Sequence, residues 1–223
     1  MTLAELIAKF RTDADDIAEG TLASDENVTD WLNEAEEEAA LRARLIHESV
    51  NSAICEISIS AGDTVYPLHE SIFDITRADF TPDGGTPVQI QIYDRIELDR
   101  LRPGWRVASE SLRDIIQQDT SIRTGCIPNV AGTLKIECYR APLDLMTVDQ
   151  AETVSPEIGR AHHRHLVQWA LYKNYSRPDA EVHDPKRAAM ALEEFARIFG
   201  EHPDADMRRS HQANRPLYNK AIA

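Results

Sequence analysis

The chain lacks most of the signals by which a sequence announces chemistry. Its three cysteines, Cys55, Cys126 and Cys138, form no CxxC pair. An odd count without metal spacing fits reduced thiols in a cytosolic setting, not a disulfide framework. No stretch comes near the roughly 18 uncharged apolar residues of a membrane span. The opening "MTLAELIAKFRTDADD" acquires acids where a secretion signal would be apolar, so an exported precursor is not expected. There is no GxSxG, no GxxxxGK[ST] and no GxGxxG, which leaves a nucleophile elbow, a phosphate loop and a dinucleotide fingerprint without support. "PDGG" (82–85) has the composition of a turn. No repeat or low-complexity tract is present.

What the chain does have is acid. Of 223 residues 38 are Asp or Glu and 24 are Lys or Arg, a formal charge of −14. The excess sits at the front: residues 1–60 carry 14 acids and 4 bases, residues 61–150 carry 14 and 9, and residues 151–223 carry 10 and 11. A nucleic-acid clamp needs a basic face, and none is visible. The 42% hydrophobic content is that of a folded protein, and this length can bury a sizeable core in one domain or two small ones.

Hydrophobic periodicity divides the chain. Thr2 and Glu5 have capping-box spacing ahead of the helical stripe Leu3, Leu6, Ile7 and Phe10. In "SDENVTDWLNEAEEEAALRARLI", Ser24 or Asp25 can cap a helix with Val28, Trp31, Leu32, Ala35, Ala39 and Ile46 on its apolar side. Glu34, Glu37 and Glu38 gather elsewhere on it, and Glu38 stands one turn before Arg42. From Asn51 the period becomes two. Cys55, Ile57 and Ile59 alternate with Glu56, Ser58 and Ser60, and Val88, Ile90 and Ile92 with Gln89 and Gln91. In "GTLKIECYR", Leu134, Ile136 and Cys138 are set against Lys135, Glu137 and Arg140. Weaker strands are expected over 72–80 and 115–122, and Asp94 with Glu97 caps a short helix to Arg102. Helices return at Ser155-Pro156-Glu157, with a helix predicted to Tyr175. A second, from Asp184-Pro185, carries Ala188, Leu192, Phe195 and Phe199 and stops at Gly200. The fold class expected is α+β. A helical bundle from residues 1–50 and 151–202 carries an inserted antiparallel sheet or small sandwich over 51–150, and an extended tail runs over 203–223.

"RAHHRHLVQWALYKNYS" (160–176) poses the one question of chemistry. His162 and His165 are three apart on a helical stripe with Ile158, Trp169 and Tyr172, close enough to share a metal, while His163 points elsewhere. The nearby carboxylates Glu157 and Asp179 complete no HExxH arrangement. Half-buried histidines beside aromatic rings are the better reading. Asp13/Asp15 and Asp204/Asp206 are read as solvated surface, and Cys55 and Cys138 as buried inert thiols. No catalytic, cofactor or metal site is assigned. The alternative kept open is a metal-dependent hydrolase or nuclease using His162 and His165. A small bacterial scaffold protein is a third.

In their order, "SDENVTDWLNEAEEEAALRARLIHES", "YPLHESIFDI", "AGTLKIECYRAPL" and "PEIGRAHHRHLVQWALYKNYSRPDAE" resemble the head-to-tail adaptor, or head-completion, proteins of tailed bacteriophages. The similarity covers residues 2–200 and lies in fold-bearing segments. It implies a non-enzymatic subunit without cofactor, one of twelve copies in a ring at the head-tail junction of the virion, assembled in the bacterial cytoplasm. The implied partners are the portal protein above and a tail or nozzle protein below, with DNA passing without specific binding and no membrane involved. An acidic lumen repels phosphate and prevents adhesion, and Glu34, Glu37 and Glu38 are the lining candidates. The tail keeps no acid after Asp206, and its 21 residues could reach about 70–75 Å when extended. Arg208, Arg209, Arg215, Leu217 and Tyr218 are its candidate portal-binding residues.

Overall fold

The computed structural model describes residues 1–15, 23–178 and 183–202. In chain order the elements begin with α1 (Leu3–Asp13), α2 (Asp25–Ala43), β1 (His47–Glu48), α3 (Ser52–Cys55), β2 (Glu56–Ile59) and β3 (Val65–Pro67). Next come β4 (Ile72–Pro82), β5 (Val88–Ile92), α4 (Arg95–Leu101), β6 (Ser109–Glu110), β7 (Asp114–Gln117) and β8 (Ser121–Thr124). The chain continues through β9 (Ile127–Pro128), β10 (Gly132–Arg140), a 3-10 turn (Val148–Gln150), α5 (His163–Tyr175) and α6 (Pro185–Phe199). The class is α+β. Two compact units separate at 46/47 and 139/140: residues 1–46 with 140–202, and residues 47–139.

The first unit is helical, and local chemistry starts each helix. Thr2 and Glu5 close both halves of the capping box on α1. Ser24 Oγ accepts from Asn27 N at α2, and Asp184 accepts from Lys186 and Arg187 N at α6. The core joins Leu3, Leu6 and Phe10 of α1 to Val28, Leu32, Ala35 and Ala39 of α2, Leu166 and Ala170 of α5, and Phe195 and Phe199 of α6. Alanines at three of these places let the helix axes approach closely, and burial of the larger side chains contributes about 1.5–3 kcal/mol each.

The second unit holds a sheet of order β1-β10-β4-β5-β7-β8-β3, with β2 also on β10. Its core is aliphatic, with Ile59, Ile75, Ile90, Ile115, Ile122, Leu134 and Ile136 around Phe80. All three cysteines are buried thiols, and burial pushes the Cys126 thiol above its ordinary value. A satellite core of Leu98, Trp105 and Ile116 lies under α4.

Several expectations are corrected. The sheet is mixed and not antiparallel: β5 pairs with β7 in parallel, because α4 and the chain after it form the crossover that brings β7 back in the same direction. The pair β6–β9 is parallel as well. Residues 115–122 are not one strand but the β7–β8 hairpin. Ile54 and Cys55 belong to the one-turn helix α3, whose first N–H groups are drawn to the Asn51 side chain (Ala53 N, 3.1 Å). Arg140 does not join the polar row of β10. By strict alternation it falls on the same side as Leu134, Ile136 and Cys138, and it is 5% exposed.

Helix α5 is also shorter than expected. It starts at His163, and residues 155–157 lie ahead of it. The first N–H groups of the expected helix are taken by a side chain from elsewhere: Glu36 Oε1 accepts from Glu157 N at 2.5 Å and from Ile158 N at 3.1 Å.

Candidate functional site

Within the helical unit, the polar side chains converge on the turn before α5. Glu36 projects into it from α2 at 2% exposure and receives the two N–H groups just named. Burial pushes its carboxyl above the ordinary carboxylate value, the two backbone donors pull the other way, and the neighbouring Glu157 and Glu37 add a smaller upward push. His163, 4% exposed, closes the turn from the other side, its Nε2 donating to the Ile158 carbonyl at 2.8 Å. Its Nδ1 lies 3.0 Å from Met1 N, tying the start of α1 to the start of α5. Glu157 reaches the opposite way, holding the Arg140 guanidinium with both carboxylate oxygens and accepting from Leu143 N at 3.1 Å.

This is a polar scaffold and it distributes the histidines. His163, read from the sequence as pointing away, is the buried one. His162 packs its ring 5.8 Å from that of Phe199, and His165 Nε2 accepts from Arg164 Nε at 3.2 Å. Partial burial, with Arg164 and His162 beside it, holds His165 below the ordinary histidine value. Among the described residues no three His, Cys, Asp or Glu side chains are placed to hold one ion. Asp13 is engaged by Lys9 at 2.7 Å. Asp179 and Asp204/Asp206 lie outside the described residues.

The acidic side of α2 divides in two. Glu34 pairs with Lys173 at 2.8 Å and accepts from Trp169 Nε1 at 3.3 Å. Glu38 pairs with Arg42 at 2.8 Å and lies 3.1 Å from His202 Nδ1. Arg42 in turn lies over the Trp169 and Phe195 rings, at 5.3 and 5.2 Å. Glu37 is exposed, and so are Glu26 and Asp30, which helical spacing puts on the same stripe. The candidate tail residues Arg208, Arg209, Arg215, Leu217 and Tyr218 lie outside the described residues.

The SU10 adaptor protein family model matches residues 1–217. The chain belongs to that family. It is a phage adaptor protein, a structural class and not an enzyme class, and the match covers both units of the adaptor. No curated protein matches the chain. No helix among the described residues is long and apolar enough to cross a membrane.

Sequence reading missed Glu36, which looked like one more acid in "EAEEEAA". Its signal was its phase, since position 36 shares the helix side of Val28, Leu32 and Ala39, all buried. A proton-linked test follows. A carboxyl whose value is raised by folding stabilises fully below its unfolded value, and that contribution is lost as pH rises through the folded value. Glu36→Gln keeps an acceptor for both N–H groups and carries no charge. The advantage in unfolding temperature of Glu36→Gln over wild type should therefore grow as pH rises from about 4 to 7. A gap that stays constant over that range would mean that Glu36 does not carry this proton linkage.

Proposed function

We propose that the chain forms a ring beneath the phage portal, joins head to tail and continues the DNA channel. The helical residues serve as one bundle and the sheet as an insert within it. The family match over residues 1–217 is the observation that carries this reading. The charge supports it, since a subunit of −14 lets DNA slide past without holding it. Glu37 is the best placed of the three lining candidates, because Glu34 and Glu38 are already neutralised by Lys173 and Arg42. The partners are the portal above, a tail or nozzle protein below, and further copies in a ring of twelve, within the virion.

Copies of so acidic a subunit repel one another at low salt, which favours assembly on the portal as template over assembly in free solution. Residues 203–223, basic after Asp206, are the proposed portal strap, with Leu217 and Tyr218 as anchors. Electron microscopy of the protein mixed with its portal should show rings that the isolated protein at low salt does not form. Deleting the chain after Pro203 should change the unfolding temperature by at most about 2 °C. It should also weaken portal binding by about 30-fold or more. Full-length affinity in the truncated protein would remove the strap, and a portal surface left bare at saturating protein would remove the role.

A further inference from the structure

We propose that residues 95–107 are a docking surface for a second copy of this chain, received by an acidic groove between α2 and residues 146–149 of the neighbour. The inference rests on the self-assembly proposed above and names the surfaces that perform it.

The first surface is exposed, apolar and net basic, with Arg95, Arg100, Arg102 and Arg106 against Glu97 and an Asp99 already paired with Arg106. Ile96, Leu101 and Val107 are 60, 57 and 80% exposed within one short stretch of chain, and Arg95 and Arg100 are exposed among them. Branched aliphatics exposed this close together along the chain are common at interfaces.

The stretch is also held in shape from below. Trp105 is 2% exposed and packs with Leu98 and Ile116, its Nε1 donating to Asp99 at 2.8 Å. The guanidinium groups of Arg106 and Arg123 lie 4.4 and 5.2 Å from its ring centre. Arg102 is fixed by Asp114 and Glu110. A surface prepared in this way loses little freedom on docking.

The second surface has the opposite character. A groove of about 320 Å³ in the helical unit is lined by Glu26, Thr29, Asp30, Met146, Val148 and Asp149. Three carboxylates rim it, and Leu145, 62% exposed, adjoins Met146 along the chain. Basic and apolar meets acidic and apolar. Neither surface complements itself, so the contact is heterologous. Repetition of such a contact gives a ring where the rotation closes, whereas a self-complementary patch would stop at a dimer. Within a chain of −14, it also places the exposed arginines against carboxylates that would otherwise repel.

The test reverses the charges on each side of the full chain. Arg95→Glu with Arg100→Glu, or Glu26→Lys with Asp30→Lys, should each weaken self-association by about 10- to 100-fold. Association is read by sedimentation across protein concentration and by ring formation on the portal. The unfolding temperature should fall by no more than a few degrees in either variant, since Glu26 and Arg100 each lie in a terminal turn whose helix dipole they complement. A chain carrying all four changes should regain assembly, since every contact in its ring is then swapped, and a misfolded chain could not. Wild-type assembly by either two-residue variant, or no recovery in the fourfold variant, would overturn the surfaces and leave the adaptor reading standing. Loss of portal binding with self-association intact would make the portal the occupant and overturn the second copy. A wild-type chain that never self-associates, with or without the portal, would bring down both the ring and this contact.

Discussion

Glu157→Ala should destabilise the helical unit by about 2–4 kcal/mol, one of the two largest single-residue effects expected in this protein. The Arg140 side chain is 6% exposed, and both oxygens of Glu157 are on its guanidinium. Removing the carboxylate leaves a buried cation without its bidentate acceptor and takes the acceptor from Leu143 N as well. Fully buried pairs lose about 3–5 kcal/mol when broken in this way, and the lower figure here allows for Glu157 itself being 37% exposed. The same asymmetry predicts a milder loss for Arg140→Met, because the carboxylate left behind can turn to water while methionine fills the stem's place. Urea unfolding followed by the fluorescence of Trp31 and Trp169, both in the helical unit, measures each. Equal losses for the two substitutions would show that the pair contributes by packing and not by charge.

Gly132→Ala should disrupt the sheet by about 3 kcal/mol, the upper end of ordinary overpacking. A β-carbon at this position would stand 2.3 Å from the Thr81 carbonyl oxygen and 2.9 Å from two atoms of the Phe80 ring. The oxygen is backbone, so β10 must move away from its neighbour β4, and Phe80, 1% exposed in the middle of the core, has nowhere to turn. Gly84→Ala is the control. Its site is open, and only its φ of +72° resists a side chain, a cost of about 1 kcal/mol. Calorimetry of the two variants should separate them by several degrees. Matching melting temperatures would mean that the β4–β10 spacing is looser than it stands here.

Elements whose cause is local were legible in the sequence. The capping box at Thr2, the Ser24 cap, Asp184-Pro185 and the alternation through Leu134–Cys138 each act within a few residues, and each is present. Failures arose where a distant group intervened. Helical spacing after Ser155 could not reveal that Glu36, more than a hundred positions earlier, captures the N–H groups of Glu157 and Ile158. The parallel β5–β7 pair depends on a crossover whose course no alternation records. Arg140 is a different case, because the pattern itself gave its side and the residue type overrode the pattern. Among candidate site residues, the phase of Glu36 along α2 was there to be read but went unread, and the cationic partners of Glu34 and Glu38 come from α5 and from within the helix.

His47 and Tyr139, the first and last residues of the sheet-bearing unit, are paired partners across β1 and β10. The two ends of a 93-residue segment therefore lie one strand spacing apart, about 5 Å, and a linker of two or three residues could span them. Such an arrangement makes residues 47–139 a cassette. It can be excised without leaving a long entropic gap in what remains, or joined end to end into a closed circle.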